Sequence, residues 1–503
     1  MALSPRFPSL YQFNTRVLLR EMTPDPRRSA SFDEISESFL DSLIFLGFDW
    51  VWPMGVWQTG DAARNVSRRN PEWRAGYQKA LPDLTDNDIS GSPYAIKSYT
   101  VNKDFGGDES LARFRQRLKQ RGIRLLLDFV PNHVAPDHPW AVEHPEYLIG
   151  GSEEDLAREP WNFMRVETPQ GVRVIAHGRD PYFAGWPDTI QVNYRSRGLR
   201  QAMIDELRKI ATRCDGIRCD MAMLPLPDVI ERTWGERARP SDGTSPVNES
   251  FWPEAVSNVK ALHPDFIFMA EVYWDREFDL QQQGFDYTYD KRYYDRLHGR
   301  HTEEARGHLG ADAEFQRKSV RFLENHDEPR AAGVFPPDVH RAAAIATFLV
   351  PGMRFFHEGQ LEGRKQHVSM HLSRRPVEPV DADVREFYMQ LLAILKRTAV
   401  RDGTWHLLDC RPTWSGNTTA SQFLGFAWRG TAGDRLLVFV NYGGGSAQCF
   451  VKVPWADLGG RHVFLSDLMS EAVFERDGDE LIQRGMFLDM PAWHYHVFEV
   501  NAK

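Results

Sequence analysis

Short runs of apolar residues alternate with longer segments of helical periodicity from about residue 9 to residue 400. Apolar runs of strand length, separated by helices, are typical of repeated βα units whose strands pair in parallel. The pattern predicts eight strands, the number that closes a (β/α)8 barrel. We place them at Leu10–Val17, Phe48–Met54, Ile123–Val130, Gly216–Asp220, Phe266–Glu271, Gly284–Tyr289, Val320–Glu324 and Met353–His357.

The segments between these strands carry apolar residues at intervals of three and four, which is typical of amphipathic helices. The helices predicted in this way are Phe32–Leu46, Ser110–Arg121, Gly198–Arg213, Asp338–Val350 and Val384–Arg401. After about residue 403 the helical pattern gives way to short alternating segments, which predict an all-β sandwich. Its strands are expected at Phe423–Trp428, Arg435–Val440, Gln448–Val453 and His494–Val500.

The expected fold class is therefore α/β, a TIM barrel with two attachments. About 60 residues rich in Pro, Gly and Trp separate the third and fourth strands, too many for an ordinary βα loop, and they predict an inserted subdomain after strand 3. We assign residues 1–133 and 195–402 to the barrel, residues 134–194 to the inserted domain, and residues 403–503 to the C-terminal β-sandwich.

Composition excludes several classes of partner. The formal charge is −9 and the charges are mixed without basic runs, so we expect no nucleic acid. The chain has neither a signal-peptide pattern nor an apolar stretch long enough to span a bilayer, which predicts a cytoplasmic protein without membrane contact. The spacing of its four cysteines matches no zinc site, so we expect buried thiols. The sequence leaves the oligomeric state open.

Candidate chemistry lies where the apolar runs end, because barrel proteins carry functional groups at the carboxyl ends of several strands. Polar residues follow the third, fourth, fifth and seventh predicted strands: Asp128, Asn132 and His133; Arg218 and Asp220; Glu271; Asn325, His326 and Asp327. Any one of these groups alone is explained by a salt bridge or a loop hydrogen bond. Four strand ends with complementary groups favour a catalytic site instead.

Two of these carboxyls suit different roles. Arg218 and Asp220 are two residues apart on a strand and point to the same side, so the guanidinium would keep Asp220 ionised. Glu271 follows an apolar strand, where desolvation would raise its pKa and keep it protonated. An ionised nucleophile beside a protonated acid is the apparatus of a retaining glycosidase.

Four segments together resemble the α-amylase family of glycoside hydrolases: DFVPNH (128–133), GIRCD (216–220), AEVYW (270–274) and ENHDEPR (324–330). They occur in the family's order, and the resemblance extends from the first strand to the C-terminal sandwich. It implies that Asp220 is the nucleophile, Glu271 the acid/base and Asp327 the transition-state stabiliser. It also implies substrate contacts by His133, Arg218 and His326.

Further segments extend the resemblance towards substrate binding. SPYAIKSYTVNKDFGG (92–107) is similar to a family loop whose aromatic residue, here Tyr94, stacks on the bound sugar. WPDTIQVNY (186–194) is similar to the segment that ends the family's inserted domain. Arg330 in HDEPR is similar to an arginine of members that act on short oligosaccharides from the non-reducing end, so we include it among the substrate-binding residues.

The sequence also departs from the family in two places. In many starch-cleaving members Ala-Ala-Lys-His follows the nucleophile, whereas here the segment after Asp220 is Met-Ala-Met-Leu, which argues against cleavage of long starch chains. Asn132 stands at a position that often helps to bind calcium in the family. It is the only candidate Ca2+ ligand, and a calcium shell needs several oxygens, so we expect no required cofactor or metal.

The leading hypothesis is a retaining α-glycosidase that cleaves α-glucosidic bonds of malto-oligosaccharides or α-glucans through a covalent glycosyl-enzyme intermediate. A transglycosylase, either a glucanotransferase or a glucosyltransferase using sucrose or maltose, needs the same catalytic residues. A phosphorylase would differ only in its acceptor. A non-catalytic carbohydrate-binding homologue is the alternative from another class, because a fold does not imply activity.

Overall fold

A computed structural model describes residues 5–23, 30–169 and 171–503 of the protein. Over this part of the chain, eight parallel strands close into a barrel in which each strand pairs with its neighbours in chain order and the last pairs with the first. The predicted (β/α)8 barrel is confirmed. Its strands are β1 (Ser9–Asn14), β2 (Trp50–Met54), β3 (Arg124–Phe129), β4 (Gly216–Cys219), β5 (Ile267–Ala270), β6 (Tyr287–Tyr289), β7 (Ser319–Arg321) and β8 (Met353–His357).

The first strand is shorter than the sequence predicted. It was expected to continue to Val17, but it ends at Asn14, and a helix begins at the next residue. The Asn14 side chain accepts hydrogen bonds from the backbone N–H groups of Arg16 and Val17. An asparagine in this position satisfies N–H groups that the first helical turn leaves unpaired. The cap, rather than the continuing apolar pattern, ends the strand.

Helices surround the barrel and connect its strands. The predicted segment Val384–Arg401 is two helices, Ala382–Leu395 and Thr398–Asp402, and Phe32–Leu46 is a 3-10 turn followed by the α-helix Glu37–Leu46. The other predicted helices are present with ends shifted by a few residues. The α-helices of eight or more residues are Thr15–Met22, Glu37–Leu46, Asp61–Arg69, Pro71–Ala80, Gly107–Gln120, Arg197–Ala211, Pro227–Trp234, Trp252–Lys260, Lys291–His298, Thr302–Leu309, Pro337–Phe348 and Ala382–Leu395.

Two insertions extend from the carboxyl ends of the barrel strands, one after β2 and one after β3. The segment after β2 holds a strand pair, Trp57–Thr59 with Ile96–Val101, and two helices that the sequence did not predict. In the segment after β3, the short strand His133–Val134 pairs with Ile190–Gln191. A second antiparallel pair, Phe163–Thr168 with Gly171–Ala176, lies between them.

Beyond the barrel, the chain forms the expected C-terminal β-sandwich. A six-stranded sheet has the order Thr404–Leu407, Phe423–Arg429, Arg435–Asn441, Tyr495–Ala502, His462–Asp467 and Val473–Asp477. A three-stranded sheet faces it, in the order Cys410–Arg411, Ala447–Val451 and Met486–Met490. The apolar side chains between the two sheets form a core separate from that of the barrel.

Two expectations from composition can be compared with this fold. The four cysteines are buried and unpaired in disulfides: Cys214, Cys219, Cys410 and Cys449. Among the residues that the structure describes, no helix combines the length and the apolar character needed to cross a membrane.

Trp428 of the C-terminal sandwich packs against the barrel. Trp428 is fully buried and packs with the barrel core rather than with the core of the sandwich. Its Nε1 donates to the Leu349 carbonyl oxygen at 2.8 Å, and its ring centroid lies 5.3 Å from that of Phe7. The two domains therefore share a hydrophobic contact and a buried hydrogen bond.

We predict that Trp428→Ala lowers the free energy of unfolding by about 3 to 5 kcal/mol, the usual cost of removing a large aromatic side chain from a core. Urea denaturation followed by fluorescence and circular dichroism measures the change. Trp414→Ala is the matched control, because Trp414 is 56% exposed, and it should leave the midpoint unchanged. Equal midpoints for both variants would show that Trp428 does not couple the domains.

Candidate active site

A single buried arginine joins the two carboxyls that the sequence singled out. Arg218 lies at the end of β4 with its side chain inaccessible to solvent. Its Nη1 is 2.5 Å from Asp220 Oδ1, and its Nη2 is 2.8 Å from Glu271 Oε2. Three aromatic rings enclose the guanidinium at 5.1 to 5.8 Å: Tyr94, Trp52 and Tyr289. Because both carboxyls contact one planar group, they lie close together.

The register of neighbouring strands produces this arrangement. In the parallel pair of β4 and β5, Cys219 is opposite Ala270, and the next residue on each strand carries a carboxyl. The Glu271 N–H donates to the Cys219 carbonyl oxygen at 3.0 Å, and the Asp220 N–H donates to the Phe129 oxygen on β3 at 2.8 Å. The barrel ladder therefore continues to the two functional residues and fixes their backbones.

Glu271 is suited to carry a proton. Burial raises its pKa to about 7, although Arg218 opposes the shift, and the neighbouring Asp220 charge raises the pKa further. Its Oε1 accepts from the Tyr273 hydroxyl at 2.8 Å, and its Oε2 accepts from the Met221 N–H at 2.7 Å. These contacts orient the carboxyl, which is protonated below about pH 7.

Asp220 experiences two opposing effects. Burial raises its pKa above the usual value for aspartate, and Arg218 opposes that shift through attraction and a hydrogen bond. The sequence argument considered only the arginine and left burial out. Two carboxyls share one guanidinium, and like charges disfavour ionisation of both. With one proton on Glu271, the remaining negative charge on Asp220 balances Arg218.

The third carboxyl, Asp327, ends a chain of hydrogen bonds between three neighbouring strands, β8, β1 and β7. His357 Nδ1 is 2.8 Å from Gln12 Oε1, and Gln12 Nε2 is 2.8 Å from His326 Nδ1. Because the amide donates to Nδ1, His326 carries its hydrogen on Nε2, which lies 2.9 Å from Asp327 Oδ2. Burial acts to raise the pKa of Asp327, but His326, Arg218 and His367 together outweigh it and the pKa is lowered. Asp327 is therefore ionised.

Tyr94 and His133 also reach the site. The Tyr94 hydroxyl is 2.8 Å from His326 Nε2, so the tyrosine contacts both His326 and the arginine. His133 is buried against the ring of Trp186 at 5.2 Å, and burial lowers its pKa to about 3. The histidine is thus neutral and can either donate to or accept from a ligand hydroxyl.

Asp128 organises the site from behind. Its two carboxylate oxygens accept from Trp52 Nε1 at 3.0 Å and from the Gly55 N–H at 2.7 Å. Its carbonyl oxygen accepts from Trp57 Nε1 at 2.7 Å. Asp128 therefore binds the end of β2 to the end of β3, and its carboxylate has no contact with Asp220 or Glu271 in the described structure.

A cavity of about 320 Å³ brings most of the predicted residues together. The predicted residues that line it are Tyr94, His133, Asp220, Glu271 and Asp327. Arg218 and His326 lie directly behind this lining through the contacts already described. The other lining residues were not predicted as site residues, and they include Trp73, Trp186, Asp188 and His371.

The structure places Arg330 away from this cavity. Its Nη1 is 2.7 Å from Glu324 Oε1 and donates to the Glu358 carbonyl oxygen at 2.6 Å. Both side chains of the ion pair are buried, at 4% and 0% exposure. The expected role of Arg330 in substrate binding is therefore not supported, because the following helix begins at Ala331 and the guanidinium turns towards β8.

Both oxygens of Asn132, at the position that the resemblance linked to calcium, accept hydrogen bonds within the protein. Gln191 Nε2 donates to Asn132 Oδ1 at 3.0 Å and to the Asn132 carbonyl oxygen at 2.9 Å. One side-chain amide group therefore already engages both oxygens. Within the described ranges, no group of three histidine, cysteine or acidic residues is arranged to hold a metal ion.

The fold and the cavity together define a (β/α)8-barrel protein with an acidic site at the ends of its strands. The family model for the alpha-amylase catalytic domain matches residues 81–401, well over half of the chain. The protein belongs to the alpha-amylase family, as the four sequence segments predicted.

Curated relatives include amylases and transferases. The chain is 26% identical over 364 residues to alpha-amylase MalA of Haloarcula japonica, covering 71% of this chain and 44% of that protein. It is 32% identical over 259 residues to an alpha-1,4-glucan:maltose-1-phosphate maltosyltransferase of Cereibacter sphaeroides, covering 50% of this chain and 31% of the other. The chain thus spans less than half the length of either relative.

Solved structures share the whole fold. The maltogenic alpha-amylase AmyB of Thermotoga neapolitana superposes with a TM-score of 0.68 at 18% identity, over 99% of both chains. An alpha-amylase of Lactobacillus plantarum gives a TM-score of 0.63 at 22% identity, over 98% of this chain and 99% of that one. At these identities the likeness establishes the architecture.

We predict that calcium does not stabilise this protein, because the Gln191 amide takes the oxygens that the ion would need. Differential scanning calorimetry should give the same melting temperature with calcium and with EDTA. Gln191→Ala should lower that temperature equally in both buffers, because it removes the hydrogen bond to the buried Asn132 Oδ1 at a cost of about 1 to 3 kcal/mol. A rise of several degrees on adding calcium to the unaltered protein would contradict the assignment.

Proposed function

We propose that the protein is a retaining α-glycosidase that cleaves α-glucosidic bonds of malto-oligosaccharides or related α-glucans. The observation that supports this most strongly is the placement of Asp220 and Glu271 on one buried guanidinium, with the pKa of Glu271 raised to about 7. Retaining glycosidases need two carboxyls only about 5 to 5.5 Å apart, one ionised and one protonated. Membership of the alpha-amylase family agrees with this reaction.

In the first chemical step, Asp220 attacks the anomeric carbon while Glu271 donates its proton to the glycosidic oxygen. The carbon–oxygen bond to the leaving group breaks, and a covalent glycosyl-aspartate forms. In the second step, the Glu271 carboxylate accepts a proton from the incoming water as its oxygen attacks the same carbon. Asp220 leaves, the product keeps its anomeric configuration, and both carboxyls regain their starting states.

Neighbouring groups stabilise the charge that develops between these steps. Positive charge builds up on the sugar ring in the oxocarbenium-like transition state. Asp327, held ionised by His326, provides a fixed negative charge at the cavity wall, and fixed charge of this kind is an effective source of catalysis. Tyr94 and His133 provide an aromatic face and a neutral hydrogen-bonding ring for the same sugar.

A second groove, of about 440 Å³, adjoins the cavity and suits the leaving group. Met221 and Tyr273, which both hydrogen-bond to Glu271, line the cavity and the groove alike. Trp274 and Phe183 line the groove with 37% and 73% of their surfaces exposed, and such aromatic faces suit sugar rings. A transglycosylase would receive its sugar acceptor in this groove, and the curated relatives include transferases as well as amylases.

The proposal extends to the ligand and the location of the protein. No lysine or arginine is present among the described lining residues of the cavity. This lining favours a neutral α-glucan as the partner. A cytoplasmic location, the expectation from the sequence, remains our proposal.

We predict that the purified protein releases products from maltose, maltotriose or related α-glucosides, and that Asp220→Asn abolishes this turnover without unfolding the protein. The variant removes the ionised nucleophile from a preorganised site. Chromatography of the products over time, with proton NMR of the newly released anomer, measures rate and stereochemistry. An α-anomer as first product supports retention.

Several outcomes would overturn parts of the proposal. A first product of inverted configuration would exclude the glycosyl-aspartate intermediate. Products longer than the donor would replace hydrolysis by transglycosylation, and a rate that requires phosphate would indicate a phosphorylase. Full activity in Asp220→Asn would refute the nucleophile, and absence of turnover on every donor would favour the carbohydrate-binding alternative.

We predict that kcat/KM falls as the pH rises above about 7, because Glu271 must be protonated to act as the acid. In Glu271→Gln this decline should disappear, and aryl glucosides with good leaving groups should lose less activity in the glycosylation step than maltose does. Glu277→Gln is a matched control, because burial raises the pKa of that carboxyl to about 7 as well. If the control loses the decline and Glu271→Gln keeps it, the acid has been misassigned.

A further inference from the structure

One wall of the cavity is built from segments that lie outside the barrel. The helix Pro71–Ala80 contributes Trp73, and the loop after β8 contributes Met370 and His371. The ring centroids of Trp73 and His371 lie 4.9 Å apart. Farther along the insertion after β2, the Ser90 N–H donates to the His371 carbonyl oxygen at 2.8 Å. This packing joins the insertion after β2 to the loop after β8, two strands that both flank β1, and bounds the cavity on that side.

The wall stands on the side of the sugar that is transferred. The cavity holds Tyr94, His133 and Asp327, whereas the leaving-group groove shares only Met221 and Tyr273 with it. A volume of about 320 Å³ is at the low end for small-molecule sites, which suits a short saccharide rather than a long chain.

Asp188, in the last segment of the insertion after β3, is the unexplained group in this wall. It lines the cavity with only 3% of its surface exposed. Its Oδ2 is buried and has no hydrogen-bond partner among the residues that the structure describes. A buried carboxyl oxygen without a partner is costly, so such a group is expected to bind something.

The surrounding turn does not need the Asp188 carboxyl for its own stability. Thr189 N donates to the Trp186 carbonyl oxygen at 3.1 Å, and Thr189 Oγ1 donates to the same oxygen at 2.9 Å. The Gly178 N–H in turn donates to Thr189 Oγ1 at 3.1 Å. The turn is thus fixed on both sides by Thr189, and the carboxyl remains available to a ligand.

The chemistry around Asp188 suits neutral hydroxyl groups. Burial raises its pKa to about 7, and burial also lowers the pKa of His371 to about 3, so the histidine is uncharged. No lysine or arginine is present in the described lining of the cavity to attract an anion. A sugar hydroxyl can donate to the ionised carboxyl or accept from the protonated one, whereas a phosphorylated sugar would find no cation.

We propose that Asp188, beside Trp73 and His371, binds the hydroxyl groups of an unphosphorylated non-reducing terminal sugar and thereby restricts the enzyme to that end of its substrate. This inference rests on the proposed glycosidase function. Asp188 acts as a specificity-determining residue, because it contacts the terminal sugar and takes no part in proton transfer.

The first experiment compares two substrates on the unaltered enzyme: p-nitrophenyl maltoheptaoside and the same compound with its non-reducing end blocked by an ethylidene group. We expect the free substrate to be cleaved roughly 100-fold faster, since the ethylidene group replaces hydroxyl hydrogens that Asp188 would accept and adds atoms against the Trp73 and His371 wall. Equal rates would overturn the inference while leaving the glycosidase function intact. Absence of cleavage of both substrates and of maltose would instead count against the proposed function.

The second experiment assigns the discrimination to Asp188. Asp188→Asn should lower kcat/KM for maltotriose roughly 10- to 100-fold, because an NH2 group replaces one buried oxygen that accepts from the sugar. The ratio of the rates on the free and the blocked substrate should fall as well. Asp155→Asn is the matched control in the same insertion, because Asp155 pairs with Arg158 and Arg237 outside the cavity. An unchanged discrimination ratio in Asp188→Asn would refute the role of this residue.

A binding measurement separates recognition from catalysis and from folding. Calorimetric titration of maltotriose into Asp220→Asn should show binding that weakens when Asp188→Asn is added, while the melting temperatures of the two proteins stay within about 2 °C. Equal affinities in the single and double variants would overturn the inference. Should Asp188→Asn fail to fold, the blocked-substrate comparison on the unaltered enzyme still decides whether the wall is closed.

Discussion

The site depends on one buried positive charge. Arg218 is inaccessible to solvent, and its guanidinium contacts both Asp220 and Glu271. Burying an unpaired arginine would be prohibitively costly, and so would burying two ionised carboxyls without a cation. The enclosing aromatic rings keep water away from the guanidinium and add favourable cation–π contacts. The arrangement is stable with one carboxyl ionised and the other protonated, which is also the state that the proposed chemistry requires.

The barrel brings the charged groups of the site together. Adjacent parallel strands end at the same face, so the residue after β4 and the residue after β5 become neighbours without any special loop. The hydrogen-bond chain from His357 through Gln12 to His326 comes from β8, β1 and the end of β7. It aligns Asp327 from the opposite part of the ring. Catalytic groups and their supports are thus distributed over most of the barrel.

Sequence reasoning could place Asp220 and Glu271 at strand ends because that placement is local: an apolar run stops and a polar residue begins. It missed Asp188, Trp73 and His371, which reach the cavity only through packing between distant segments. That packing rests on a small apolar cluster whose buried members are Tyr77, Leu81, Ile89 and Leu372. Gln12 carried a usable signal, since it is a polar residue inside an apolar strand. Arg330 was included because it lies close to Asp327 in sequence, but its side chain does not reach the cavity.

The charge of the cavity also favours the transition state of the proposed reaction over the bound substrate. Asp327 is ionised and Asp220 balances Arg218, so the cavity is net negative before a neutral sugar enters. Positive charge on the sugar ring relieves this excess in the transition state, whereas the ground-state substrate does not. A fixed excess of one sign therefore favours the transition state over the substrate, which is the condition for catalysis rather than for tight binding. The same excess disfavours a phosphorylated donor sugar, because its charge would add to that of Asp327 where no cation lines the described cavity wall.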